Sequence, residues 1–239
     1  MAEYVNEHGV LSLAVIPDGN RRWAKARRLP AIAGHRKGAS VLKDVCRACY
    51  HRGIKYITFY AFSTENWNRK RQEVNALMKL FASLLGDFEK ELGDDRGTVR
   101  IKVIGDRSAL SGDLVEGIER VEKATASNTG INVFIAINYG SRSEILSAVR
   151  GIAGEVREGR LDPGDITEET VSGALYTAGV PDPDLLIRTS GEMRVSNYLL
   201  WQIAYSELYF ADCFWPDFDE KELDKALAAF AARKRRYGK

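Results

Sequence analysis

The sequence predicts an α/β fold, a single domain over residues 1–239 with a central, mostly parallel six-stranded sheet flanked by helices. Three observations lead there. Short apolar runs alternate with helix-length amphipathic segments, the pattern of βα units. Most of the runs are continuously apolar, as when helices cover both faces of a parallel sheet. Polar and cationic residues gather just after several of the runs, and open parallel sheets bind ligands outside the carboxyl ends of their strands.

Taken in order, strands are expected at 11–16, 56–62, 100–104, 132–137, 185–188 and 208–210. Helices are expected at 20–28, 35–52, 73–92, 112–126, 142–157, 168–178 and 219–235. Gly53 reads as the stop of the second helix. Ser141 with Glu144, and Asp219 with Glu222, read as capping boxes. The Asp162-Pro163-Gly164 and Pro181-Asp182-Pro183 clusters read as loops. The segment 73–92 is the most regular helix. Val74, Leu77, Met78, Phe81, Leu84, Leu85, Phe88 and Leu92 form a wide apolar stripe. Such a stripe is ordinary core by default, and the alternative is one wall of a cavity for a long apolar ligand.

Composition is that of a water-soluble globular protein, with 45% hydrophobic and 28% charged residues. A net charge of +2 argues against a general nucleic-acid binder. No apolar run is long enough to span a bilayer, and no signal peptide is visible. Three cysteines make no disulfide framework, so a cytoplasmic protein is expected. Cys46 and Cys49 form a C-x-x-C, but on a helix with no second ligand pair they read as two small apolar residues.

The chemistry is expected after the strands. The first runs into Asp18-Gly19-Asn20-Arg21-Arg22-Trp23, and no further acidic residue occurs before Asp44. The intervening stretch holds Arg21, Arg22, Lys25, Arg27, Arg28, Arg36, Lys37 and Lys43, with His35. A carboxylate beside many cations suits a hard cation, such as Mg²⁺, bridging to a phosphate that arginines grip bidentately. Gly19 allows a tight turn, and a helix starting after it aims N–H groups at an anion. The second strand runs into Ser63-Thr64-Glu65-Asn66-Trp67-Asn68-Arg69, and the fifth into Arg188, with Arg194 and Ser196 close behind. Glu207 offers a second carboxylate. The alternative is an aspartate that caps a helix beside exposed arginines. A P-loop, a dinucleotide-binding glycine motif and a serine nucleophile elbow are all absent.

At these residues the sequence resembles the cis-prenyltransferases. The resemblance rests on DGNRRWA at 18–24, GH at 34–35, YAFSTENWNR at 60–69, IRTSGEMRVSNYLLWQIAYSELYF at 187–210 and WPDF at 215–218. It implies Mg²⁺-dependent condensation of isopentenyl diphosphate with an allylic diphosphate primer, cis double bonds, and a homodimer. It also implies the roles. Asp18 becomes the key catalytic carboxylate and a Mg²⁺ ligand, with Glu207 as the second metal position. Gly19, Asn20, Arg21, Arg22, Trp23 and His35 form the first substrate loop and its partner. Ser63, Thr64, Glu65, Trp67 and Arg69 form the second, and Asn66 stands where the proton acceptor is usually assigned. A neutral amide is a poor base, so Asn66 is read as positioning a proton path. Arg188, Arg194, Val195 and Ser196 take isopentenyl diphosphate. A long lipid product implies transient contact with the membrane surface, with no nucleic-acid partner.

Four positions depart from the family's pattern. Arg21 stands where many bacterial members have glycine. Ala31 replaces an arginine that helps hold the primer's diphosphate, which leaves Arg27 or Arg28 to compensate. Met193 replaces a histidine, and Phe134 is bulkier than expected near a product tunnel.

Overall fold

The computed structural model describes residues 8–86 and 97–233. Six strands form one sheet, β1 (Ser12–Ile16), β2 (Tyr56–Ser63), β3 (Val99–Ile104), β4 (Ile131–Tyr139), β5 (Leu185–Arg188) and β6 (Glu207–Phe210). Their spatial order is β3-β4-β2-β1-β5-β6, and every pairing is parallel. The central strand β1 is buried at all five positions, which is why its sequence is continuously apolar.

Among the described residues seven α-helices pack around the sheet: α1 (Asn20–Ala26), α2 (Ala31–His51), α3 (Arg71–Gly86), α4 (Gly112–Thr125), α5 (Ser141–Arg157), α6 (Glu168–Ala174) and α7 (Glu220–Ala231). The end of α2 follows the sequence signal. Gly53 N–H donates to Tyr50 O and Ile54 N–H to Cys49 O, the paired bonds of a Schellman stop. Of the two expected capping boxes, Asp219 does cap α7 by accepting from Glu222 N–H. Ser141 does not cap α5, because the cap residue is Gly140 and Ser141 Oγ accepts from Leu200 N–H instead. Glu144 is buried, taking hydrogen bonds from the Tyr139 hydroxyl, Tyr176 N–H and Gln202 Nε2. A tertiary network has taken both residues from the local motif. Phe88 and Leu92 lie outside the described residues.

The sheet's two faces carry different cores. Leu13, Val15, Ile57, Phe59, Val133, Leu185 and Ile187 pack toward α2 and α7. Ala14, Ile16, Tyr60, Phe134, Ala136 and Leu186 pack on the opposite face with Tyr139, Tyr198 and Leu199. Cys46 and Cys49 are buried, and burial pushes the Cys49 thiol up to about 12, in keeping with an apolar role. Near its carboxyl end β2 breaks register, pairing Tyr60 with Ala136 but Phe62 with Ile137. Ala61 is the extra residue. Bulges of this kind occur beside sites, and Tyr60, Ala61 and Ser63 around this one line the cavity described next.

Candidate active site

β1 ends where Asp18 begins the first loop. The Asp18 carbonyl accepts from Thr189 Oγ1 at 2.7 Å, Ser190 Oγ at 2.9 Å and Trp215 N–H at 2.9 Å. Three donors on one carbonyl fix the backbone, so the carboxylate is aimed rather than floppy. Its Oδ2 accepts from Arg188 Nη2 at 2.8 Å, and its Oδ1 from Gly19 N–H at 2.6 Å and Arg22 Nη2 at 3.2 Å. Burial alone would raise this carboxyl. The Arg188 bond and charge, then Arg22 and Gly19 N–H, outweigh it and hold Asp18 below the ordinary aspartate value. Gly19 sits at φ +99°, and an added Cβ would stand 2.1 Å from Ser190 Oγ, so no other residue fits this turn.

Arg188 is 3% exposed. Besides Asp18 it donates to Arg194 O at 2.5 Å and Ser196 Oγ at 2.8 Å. One buried guanidinium thus ties the first loop to the loop after β5. In the second loop, Ser63 N–H donates to Asn66 Oδ1 at 3.2 Å, within a capping box that opens a 3₁₀ turn over Thr64–Asn68. Arg69 pairs with Glu73 at 3.1 Å, and Arg21 reaches the same carboxylate at 3.5 Å.

These loops enclose a polar cavity of about 790 Å³ at the carboxyl ends of β1, β2 and β5. Asp18, Gly19, Asn20, Arg21, Arg22, His35, Ser63, Asn66, Arg69, Arg188, Arg194 and Ser196 all line it, as expected. Lys25, Arg28 and Tyr60 also line it. Seven of the lining residues are Lys or Arg, and Asp18 is the one carboxylate among them, a balance that suits a small polyanion. Burial, then the charges of Arg69 and Arg21, lower His35 to about 4, with Glu73 opposing. His35 is therefore neutral at pH 7, and its Nε2 is buried with no hydrogen-bond partner.

Five of the expected substrate residues do not line the cavity. Trp23 turns away to donate from Nε1 to Asp217 at 2.7 Å, with Arg27 stacked on its ring at 4.3 Å. Trp67 donates to Asn138 Oδ1 at 2.7 Å. Glu65 accepts from Asn197 Nδ2 at 3.0 Å, and Thr64 and Val195 are not among the lining residues. These residues shape the loops rather than face the cavity. Tyr60 is the residue sequence reasoning missed. It reads as one more apolar strand position, and only the bulge at Ala61 marks it. Burial raises its hydroxyl, which stays a donor to Tyr139 O at 3.1 Å and Ser196 O at 3.4 Å.

A second cavity, of about 210 Å³, meets the first at Pro17, Asn20, His35 and Ala61. It continues between α2, α3 and the sheet, past Leu42, Leu77, Phe81, Leu84 and Leu85. Ile137, Ile135, Val133 and Ile131 of β4 all line it. The six steps from Ile131 to Ile137, at about 3.3 Å each, make that wall roughly 20 Å long. The α3 stripe is therefore partly cavity wall.

A family model for undecaprenyl diphosphate synthase matches residues 16–238. The chain belongs to this family. An isoprenyl transferase of Brucella suis biovar 1 (strain 1330) is 51% identical over 226 residues, covering 95% of this chain and 88% of that protein. The fold resembles lavandulyl diphosphate synthase from Lavandula x intermedia, solved with dimethylallyl diphosphate, at a TM-score of 0.93 and 38% identity over 98% of this chain and 100% of that one. It also resembles a probable undecaprenyl diphosphate synthase from Campylobacter jejuni, at 0.78 and 31% over 96% and 99%.

Against the family's pattern, the structure places the departures as follows. Ala31 does line the polar cavity, and Arg28 lines it nearby at φ +56°. Arg27 is held by Asp217 at 3.2 Å and, unlike Arg28, does not line the cavity. Met193 is 79% exposed. Phe134 packs on the opposite sheet face from the apolar cavity and does not line it. Glu207 begins β6 beside Leu185 and pairs with Arg233 at 2.6 Å. Asp18 lies beyond the other end of this strand pair, and Glu207 to Phe210 alone spans about 10 Å. Within one chain the two carboxylates therefore stand at opposite ends of this strand pair, and among the described residues no group of three acidic, His or Cys side chains is placed to hold a metal ion.

Proposed function

We propose that the chain elongates an allylic diphosphate, such as farnesyl diphosphate, with isopentenyl diphosphate to give a cis polyprenyl diphosphate of about undecaprenyl length. One observation carries this reading: a cationic cavity with a single carboxylate opens directly into an apolar cavity running the length of the sheet. A diphosphate headgroup and a growing hydrocarbon tail need those two surroundings, joined.

Arg21, Arg22, Lys25 and Arg28 would hold the primer's diphosphate and stabilise its charge as the allylic C–O bond breaks. Arg188, Arg194 and Ser196 would hold isopentenyl diphosphate, with Asn66 positioning the proton that leaves the condensed unit. The apolar walls exclude water from the allylic cation. Asp18 fits a Mg²⁺ ion, which binds through one or two carboxylates plus substrate phosphates and keeps several waters. Bound there, it would neutralise charge on the departing diphosphate. Glu207 could join that ion only from a second copy of the chain, which the homodimer reading supplies. No helix among the described residues is long and apolar enough to cross a membrane, so membrane contact would be peripheral.

Purified protein given Mg²⁺, isopentenyl diphosphate and farnesyl diphosphate should make long cis polyprenyl diphosphates. No incorporation with any allylic primer would refute the reading. The likeness to lavandulyl diphosphate synthase favours a second reading, a short-chain enzyme, and products of one or two additions would establish it.

A further inference from the structure

The loop from Thr189 to Ser206 carries Arg194 and Ser196 yet contains no helix or strand. Ser190, Ser196, Asn197 and Leu199 all have positive φ. Non-glycine residues persist in that region only where the surroundings over-determine them. Asn197 gathers much of that determination. Its carbonyl accepts from Ser141 N–H at 2.8 Å, and its Oδ1 accepts from Arg142 N–H at 2.9 Å. Its Nδ2 donates to Glu65 Oε1 at 3.0 Å. A backbone N–H can only donate and an ionised carboxylate can only accept, so these partners fix which way the amide points.

The place is built for this contact. A Cβ on Gly140 would stand 2.8 Å from Asn197 Nδ2 and 2.7 Å from Thr64 Oγ1, so the missing side chain is what lets three segments meet. The other anchors run elsewhere: Arg188 to Arg194 O and Ser196 Oγ, Leu200 N–H to Ser141 Oγ, the Tyr198 hydroxyl to Thr58 O. The Asn197–Glu65 bond crosses to the 3₁₀ turn that holds Asn66.

We propose that Asn197 is a positioning residue that clasps the two substrate loops, setting Arg194 and Ser196 in register with Asn66. This rests on the elongation reading above. Without the clasp each loop still folds, but the two halves of the site no longer hold one geometry.

The test reverses the hydrogen bond. Asn197→Asp keeps the acceptor for Arg142 N–H and replaces the donor with a second carboxylate facing Glu65. It should lower kcat/KM for isopentenyl diphosphate roughly 10- to 100-fold, the scale of a small misplacement. Glu65→Gln with Asn197→Asp restores one donor and one acceptor in swapped order, and should recover to within about threefold of Glu65→Gln alone. Asn197→Gly, which keeps the left-handed backbone and removes only the side chain, should lose activity with its melting temperature unchanged. Wild-type kinetics in Asn197→Asp, no rescue in the double variant, or activity losses that simply follow falling melting temperatures would each overturn the clasp. Isopentenyl diphosphate affinity is read by calorimetry on the same proteins. A wild type that binds but does not turn over would then sink the elongation reading, while a Kd unchanged in Asn197→Asp would sink the clasp.

Discussion

The polar cavity and the apolar cavity meet at Pro17, Asn20, His35 and Ala61, yet they are built by opposite rules. The polar one is assembled from loops. Several of its side chains are held by named donors and acceptors, as Asp18 is held by Arg188, Arg22 and Gly19. The apolar one is a gap between regular elements, lined by side chains that would otherwise be core. The first is specified by what bonds to what, the second by what fails to fill. Changes in the first should alter rate, and changes in the second should alter what is made.

The largest expected effect is therefore at Asp18. Asp18→Ala should cut turnover by about 1000-fold or more, with the fold retained because the backbone carbonyl keeps its three donors. Arg188 keeps Arg194 O and Ser196 Oγ but loses its counter-charge, so some stability goes too. Asp18→Asn, which preserves the shape, separates the two losses. If Asp18→Asn turns over like the wild type, the carboxylate is not the reaction's centre and the contrast between the cavities collapses.

Next comes Ala39, which lines the apolar cavity on α2. Ala39→Phe should fill part of it, leaving the first condensation nearly intact while products shorten by one or more units. Chromatography of the products reads this directly. A uniform fall in kcat with unchanged lengths would mean that the apolar cavity does not hold the tail.

His35 belongs to both cavities, and its chemistry shows the boundary between them. Below 6.5 the unfolded chain binds this proton, whereas the folded chain binds it only near 4. The stability that neutral His35 brings is therefore present above 6.5 and lost as pH falls toward 4. The loss amounts to roughly 3 kcal/mol at most. Melting temperatures of the substrate-free protein across that window should fall more steeply for the wild type than for His35→Gln. Equal slopes would show that His35 is already solvated.

The same contrast decides how much could be read from the sequence. The polar cavity was legible because its residues are chemically out of place. Asp18 among arginines after an apolar strand has few structural explanations, and twelve of the expected residues do line the cavity. Trp23 and Trp67 do not line it, since a motif gives neighbours along the chain but not which way an indole turns. Glu207 opens β6, and in a parallel sheet that puts it at the end opposite Asp18 of the same chain, a separation that no local motif records. The apolar cavity was not legible. Leu77, Phe81 and Leu84 have the same spacing whether they pack against the sheet or stand back from it, and no local signal records the gap.

Phe134 tests the finest version of this contrast, with the smallest expected effect. It lies between Val133 and Ile135 on β4, and both neighbours line the apolar cavity. Successive side chains of a strand point to opposite faces. Phe134 therefore packs with Tyr60, Tyr139 and Tyr198 on the far side, although its sequence position places it within the tunnel wall. Phe134→Leu should cost about 1–2 kcal/mol of stability through lost packing and leave the product distribution unchanged. Ile135→Ala, one residue on, removes wall rather than far-side core and should shift products toward longer chains. If Phe134→Leu lengthens the product as well, β4 does not divide the two faces as the structure has it, and the apolar cavity is a property of the whole strand rather than of one side.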